Sequence, residues 1–226
     1  MKRGRAPRGV GAILKERLAV LRASEKLHQD FFKRLHIAGQ GNVWGVDLVV
    51  WGVLRRSLLL IDAFIPLVRK GNEVAAVPLL RFQIDNALRL YACSLVPNGD
   101  DVLVTLLRGT PLRRLKSRDG KPMTDAFLVE ALTREFPWIQ RVYERTSGFV
   151  HLSAPGLLQT VEEVSGEEVT FSMESRPQGK WRADLRLEAT DAFIEATKVL
   201  FHVVGAWLNA KTRLNEKWGT RGEAGV

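Results

Sequence analysis

A run of polar side chains at residues 143–153 is the part of this sequence whose residue types and spacing could do chemistry. Tyr143, Ser147 and His151 recur at every fourth residue, so on a helix they share one face. Histidine exchanges a proton near neutral pH, and the two hydroxyls can donate and accept hydrogen bonds. A stripe of this kind, ending in a histidine near a helix terminus, is typical of a functional pocket. It is also typical of buried polar groups that satisfy one another between helices.

A second candidate is the pair Arg81 and Asp85, which lie one helical turn apart in a strongly apolar segment. Opposite charges in such a setting are expected to be paired and hydrogen-bonded. One interpretation is a buried salt bridge that keeps neighbouring helices in register. The other is a pocket in which Asp85 orients His151 and Arg81 supports the same site, with Tyr143 and Ser147 completing the network.

Positive charge is concentrated in three places. The net charge is +9; residues 1–36 carry +7, residues 209–226 carry +2, and residues 37–208 are neutral, with twenty basic and twenty acidic side chains. Within the neutral part, residues 108–121 hold six basic side chains and one acidic one. These six are candidate phosphate contacts or a solvated loop: Arg108, Arg113, Arg114, Lys116, Arg118 and Lys121.

Several function classes lack their signatures here. The sequence has no Walker loop, no GxGxxG, no CxxC, no HExxH and no GxSxG, and its four histidines show no paired metal spacing. We therefore expect neither a cofactor nor a metal. His28 and His36, on one basic helix, are expected at the surface, and His202, among apolar residues, is expected in the core. The single cysteine, Cys93, lies in an apolar stretch and is expected in the core. A single cysteine also indicates a protein from a reducing compartment. No apolar run is long enough to span a bilayer, so we expect a soluble, cytoplasmic protein without a membrane partner.

The elements that must position these residues are mainly helices, read from apolar positions three and four apart. The helix expected at about 73–95 is apolar on nearly every side, which predicts a central position in the bundle. Thr124 is expected to cap one of them, and Thr190 with Asp191 to cap the last. Around Ser165 and Gly166 the period changes to two, which predicts a β-hairpin at about 157–174. We predict an up-and-down helical bundle with that hairpin before the last helix. The expected divisions are a disordered basic arm at 1–9, one domain at 10–217 and a flexible tail at 218–226.

The segment around 143–153 resembles the final-helix signature of the HEPN-like superfamily of small helical bundles. Many catalytic members carry an arginine, four to six residues, then a histidine, and Arg145 and His151 fit with five residues between them. The spacing of Tyr143, Ser147 and His151, with a strand pair following, is similar to an uncharacterised bacterial branch. The resemblance is strongest across about 73–153.

The resemblance implies metal-independent cleavage of RNA, of the kind found in defence or toxin proteins. His151 would move the proton of the attacking 2′-hydroxyl, and Arg145 would hold the charge that develops on the phosphate. It also implies a homodimer and, for a toxin, a neutralising partner protein. The alternative is a non-catalytic interaction module in which Arg145 pairs with a carboxylate and His151 caps its helix.

Overall fold

The computed structural model describes residues 9–150, 161–165, 168–171 and 180–222. These residues form seven α-helices, one 3-10 turn at Leu112–Arg114 and two strands. The elements in chain order are α1 (Val10–Ala38), α2 (Gly45–Arg69), α3 (Glu73–Leu95), α4 (Asp100–Leu107), α5 (Asp125–Thr133), α6 (Trp138–Val150), β1 (Val161–Ser165), β2 (Glu168–Phe171) and α7 (Lys180–Gly222). The predicted mainly α fold is confirmed.

The two strands lie before the last helix, inside the range predicted for the hairpin. β1 and β2 pair antiparallel, with Val164 opposite Val169 and Ser165 opposite Glu168. An irregularity in register separates Val161 from Glu163. The residues that flank and join the two strands lie outside the described ranges.

α3 occupies the centre of the bundle, as its nearly continuous apolar surface predicts. It packs against α2, α6 and α7, while α1 packs on α7 and α2. Buried side chains from all of these helices join one core, in which the rings of Phe64 and Phe193 lie 4.4 Å apart. Cys93 belongs to this core, and burial raises the pKa of its thiol to about 12.

One of the two predicted helix caps is present. The hydroxyl oxygen of Thr124 accepts a hydrogen bond from the backbone N–H of Phe127, so the predicted cap of α5 is confirmed. The last helix is different, because α7 begins at Lys180 and Thr190 lies inside it. The Thr190 hydroxyl donates to the carbonyl oxygen of Arg186 one turn earlier, at 2.7 Å, and so does not cap a helix start. The predicted cap is wrong, and α7 also continues to Gly222, into the segment predicted as a tail.

Residues 1–8, the predicted basic arm apart from Gly9, lie outside the described ranges. Among the helices of the described residues, none combines the length and the apolar character needed to cross a membrane.

Candidate functional site

The candidate site in residues 143–153 has four residues, of which three lie on α6 and the fourth lies outside the described residues. Tyr143, Arg145 and Ser147 belong to this helix, which ends at Val150. His151 follows directly and lies outside the described residues. The geometry of the Arg145 and His151 pair therefore stays a prediction.

Arg145 is exposed and pairs with a carboxylate on the last helix. Its Nη2 lies 3.1 Å from the Oε2 of Glu188, and the two side chains are 56% and 61% exposed. An ion pair this exposed is worth ~0–1 kcal/mol, so an anion in solution can compete for the guanidinium. Beside the pair lies a cavity of about 130 Å³, lined by Arg141, Phe149 and apolar side chains of α3 and α7. Arg145 can thus meet a phosphate without disturbing the core.

Arg81 and Tyr143 do come together, as the proposed network requires. The guanidinium carbon of Arg81 lies 3.3 Å from the centre of the Tyr143 ring, a cation–π contact between α3 and α6. Burial lowers the pKa of Arg81, although the nearby Tyr143 and Asp85 oppose that shift. Burial also raises the pKa of Tyr143, which keeps its hydroxyl protonated. The contact joins two helices and leaves both side chains only partly exposed.

The predicted pairing of Arg81 with Asp85 is wrong. Asp85 instead accepts from Arg56 of α2 at 3.1 Å and from Arg89 at 2.8 Å, and Arg89 also contacts Asp125 at 2.8 Å. On a helix, an acidic residue pairs better with a basic residue four positions later than with one four positions earlier. Arg89 follows Asp85 by four residues, whereas Arg81 precedes it by four. Asp85 and Asp125 raise the pKa of Arg89 against the opposing effect of burial.

Ser147 does not extend the network of Arg81 and Tyr143 through its side chain. Its hydroxyl donates to the backbone carbonyl oxygen of Tyr143 at 2.8 Å, one turn earlier on the same helix. The neighbouring Thr146, which is buried, makes similar bonds to the carbonyl oxygens of Val142 and Tyr143. Both hydroxyls therefore satisfy their own helix.

A chain of buried polar side chains crosses the core and was missed from the sequence. His28 was expected at the surface but is 1% exposed. Its Nδ1 donates to the carbonyl oxygen of Ser24, so in the neutral ring its Nε2 accepts from the hydroxyl of Ser57. Gln83 donates to Ser57 at 2.8 Å, and Asn86 donates to Gln83 at 3.1 Å. The signal available in the sequence was two amides, Gln83 and Asn86, on the helix expected at the centre of the bundle.

The burial of His28 predicts a loss of stability in mild acid. Burial lowers the pKa of His28 below its usual 6.5, against the raising effects of the Ser24 carbonyl and Glu25. Below about pH 6.5 the unfolded chain binds a proton that the folded chain does not, so the free energy of unfolding falls as pH falls toward the folded pKa. Urea titrations at a series of pH values between 7.5 and 5 should show this slope. The His28→Gln variant, which cannot titrate, should show a flatter one, and an unchanged slope would contradict the assignment.

Residues 108–121 are here called the basic loop, and all six of their basic side chains are exposed. Backbone hydrogen bonds order the loop: Arg118 N–H donates to the Leu95 carbonyl and Met123 N–H to the Leu115 carbonyl, each at 3.0 Å. Arg118 also donates from Nη1 to the carbonyl oxygen of Ser94 at 2.6 Å, and the Lys121 ammonium lies 5.8 Å from the Phe127 ring.

The other four cations of the basic loop are available to a ligand. Within the part of the chain that the structure describes, no carboxylate pairs with them; they are Arg108, Arg113, Arg114 and Lys116. A groove of about 530 Å³ runs beside the loop, and Arg113 and Arg89 line it. The loop is therefore an ordered surface that presents unpaired positive charge.

A second feature that the sequence did not indicate is a cavity of about 630 Å³ at the junction of α2, α3 and α7. His202 lines it and was expected in the core, but its side chain is 54% exposed, and its Nε2 lies 2.6 Å from the Oε1 of Glu135. The neighbouring Leu200, Val203 and Val204 are buried in the core, while His202 is exposed.

Comparison of the chain with family models, with curated proteins and with solved structures finds no match. Over the described ranges, no group of three or more histidine, cysteine, aspartate or glutamate side chains could hold a metal ion.

Proposed function

We propose that this protein binds single-stranded RNA through the basic loop. The observation that carries the proposal is the set of four exposed cations without carboxylate partners among the described residues, on a loop fixed by its own backbone bonds. Exposed cations attract phosphates because binding releases the counterions that condense on the nucleic acid. A fixed loop also loses little conformational entropy when the phosphates bind.

The placement of charge elsewhere in the chain supports the same partner. The acidic and basic side chains are equal in number over 37–208, so the excess of positive charge at 108–121 is local and not part of a uniformly basic surface. The groove beside the loop gives an RNA strand a path past Arg113, while Arg89 in the same groove is paired with Asp125. The basic residues at 1–36, which carry a net +7, would add affinity that does not depend on base sequence.

Removing two loop cations should weaken RNA binding and reduce its dependence on salt. The Arg113→Ala/Arg114→Ala variant loses up to two phosphate contacts, and each contact on single-stranded RNA contributes about 0.7 to the slope of log K against log salt. Fluorescence anisotropy of a labelled single-stranded RNA at several salt concentrations measures both the affinity and the slope.

The matched control for that experiment removes two cations elsewhere. Arg134 and Lys198 are 70% and 63% exposed, and each is paired with a nearby glutamate on its own helix. The Arg134→Ala/Lys198→Ala variant has the same net charge as the loop variant and should keep the wild-type slope. If both variants lose affinity equally, net charge rather than the loop determines binding and the proposal is wrong.

Metal-independent cleavage of the bound RNA at Arg145 and His151 is the second function that we propose. Its support is the exposed, weakly held pair of Arg145 with Glu188, which a phosphate can replace, together with the sequence resemblance to HEPN-like ribonucleases. The same resemblance makes a homodimer, a neutralising partner protein and a role in defence or as a toxin part of this proposal. Cleavage products that end in a cyclic phosphate would support it, since the 2′-hydroxyl is the attacking group.

A non-catalytic interaction module is the competing function, and one observation favours it. Asp85 is held by Arg56 and Arg89, so its carboxylate serves to join α2 with α3. A carboxylate already paired in this way supports the bundle rather than orienting a catalytic histidine. RNA bound but never cleaved by the wild-type protein would favour this alternative over the nuclease.

A further inference from the structure

The cavity between α2, α3 and α7 has the size of a small-molecule site. Its volume of about 630 Å³ falls within the range of about 300–1,000 Å³ that is usual for ligand pockets. It opens where the N-terminal end of α2, the C-terminal end of α3 and the second half of α7 meet. The close packing at this junction shows in Gly45, where an added Cβ would lie 2.7 Å from an oxygen of Asp100.

Three aromatic residues line the cavity, and two of them are held in fixed positions. The rings of Trp44 and Trp207 meet edge to face, with centres 6.2 Å apart. The Trp207 indole N–H donates to the Oδ1 of Asp47 at 2.8 Å, which sets its orientation. Tyr91 is the third, and burial raises the pKa of its hydroxyl, so that group remains a hydrogen-bond donor. Fixed rings favour a flat aromatic ligand, which stacks with little loss of side-chain entropy.

Two basic and two acidic side chains line the cavity. Arg118 and His202 supply the positive or proton-donating groups, and Glu135 and Asp100 supply the carboxylates. His202 and Glu135 lie within 2.6 Å of each other, and the Oδ1 of Asp100 accepts from the backbone N–H of Val46 at 3.1 Å. Two carboxylates disfavour a phosphate here. A neutral ring with both donors and acceptors on its edge fits better, and a nucleobase is such a ring.

Arg118 connects this cavity to the basic loop. It belongs to the loop, lines the cavity and is fixed to the end of α3 through the carbonyl oxygen of Ser94. We propose that the cavity binds one unstacked base of the single-stranded RNA whose phosphates lie along the basic loop, an inference that rests on the RNA binding proposed above. Proteins that bind single strands commonly combine a basic track with aromatic side chains on which bases stack.

The test uses 2-aminopurine, a fluorescent base whose emission falls when it stacks on an aromatic ring. The full-length protein is titrated into free 2-aminopurine riboside, which carries no phosphate, and into a short single-stranded RNA with 2-aminopurine at one internal position. The variant Ala206→Phe places a ring in the cavity, because Ala206 lines it. The control is Ala63→Phe, an exposed position of α2 that does not line the cavity.

We expect the wild-type protein and Ala63→Phe to quench both ligands. Ala206→Phe should bind the riboside about tenfold more weakly, since stacking of one base contributes that much or more. The variant should still bind the RNA, with the wild-type dependence on salt and the same thermal unfolding. If the wild-type protein leaves the emission of the riboside unchanged while RNA binds, the base pocket is wrong and the basic loop stands. If the riboside is quenched and RNA does not bind, the proposed function fails and with it the assignment of the pocket to an RNA base.

Discussion

Replacing His151 with alanine should lower the rate of RNA cleavage by about 10²–10⁴-fold, and replacing Arg145 should lower it by a comparable factor. A histidine that moves the proton of the attacking 2′-hydroxyl contributes a factor of this size as a general acid–base group. An arginine that holds the charge developing on the phosphate contributes about 10²–10³-fold by electrostatic stabilisation. The measurement is the single-turnover cleavage rate of a defined RNA, with buffers free of divalent metal ions.

The thermal stability of the Arg145→Ala variant separates the catalytic function from a structural one. Arg145 is 56% exposed and its partner Glu188 is 61% exposed. Removing an exposed ion pair changes the free energy of unfolding by ~0–1 kcal/mol, so the melting temperature should stay close to that of the wild type. The control is Arg134→Ala, which removes an exposed arginine from an ion pair with Glu130 and should leave both stability and cleavage unchanged.

Two outcomes would contradict the cleavage proposal. The first is a wild-type protein that binds RNA and never cleaves it, which leaves only the binding function. The second is an Arg145→Ala variant that loses cleavage in proportion to a large fall in melting temperature. In that case Arg145 would act through the fold, although its exposure in the structure gives no reason to expect it.

The sequence predicted most of the fold because its signals were local. The apolar surface of α3 predicted a central helix, and Thr124 marked the start of α5 because a cap depends only on residues within one turn. The same reasoning failed at Thr190, whose hydroxyl is satisfied by the carbonyl oxygen of Arg186. A threonine that bonds back inside a helix and one that caps a helix look alike in sequence.

The candidate site was harder to predict because its partners come from distant parts of the chain. Asp85 is paired with Arg56, which is 29 residues earlier and on another helix, and no spacing rule connects the two. His28 and His202 were placed on the wrong sides of their helices, since the apolar residues next to a histidine do not say which way its own side chain points. The cavity near Trp44 likewise brings together residues from helices that only the tertiary packing places side by side.

A buried ion pair that contacts both tryptophans of that cavity is the feature whose removal should most affect stability. The ammonium of Lys211 lies 2.6 Å from the Oδ2 of Asp47, and the two side chains are 1% and 0% exposed. Asp47 also accepts from the backbone N–H of Trp44 at 2.9 Å and from the indole N–H of Trp207 at 2.8 Å. The pair therefore fixes α7 against the start of α2 and positions both indoles of the proposed base pocket.

Lys211→Met should lower the free energy of unfolding by ~3–5 kcal/mol, because it leaves the Asp47 carboxylate buried without its countercharge. Adding Asp47→Asn should recover part of that loss, because no buried charge remains unpaired, while the amide oxygen can accept from only one of the Trp44 and Trp207 N–H groups, which donate to different oxygens of Asp47. The control is Lys198→Met, at an ammonium that is 63% exposed, which should change stability little. Urea denaturation of the wild type, Lys211→Met, Asp47→Asn and the double variant gives the coupling between the two sites. If Lys211→Met costs under ~1 kcal/mol, or if the double variant is as unstable as the sum of the single ones, the pair does not hold these helices together.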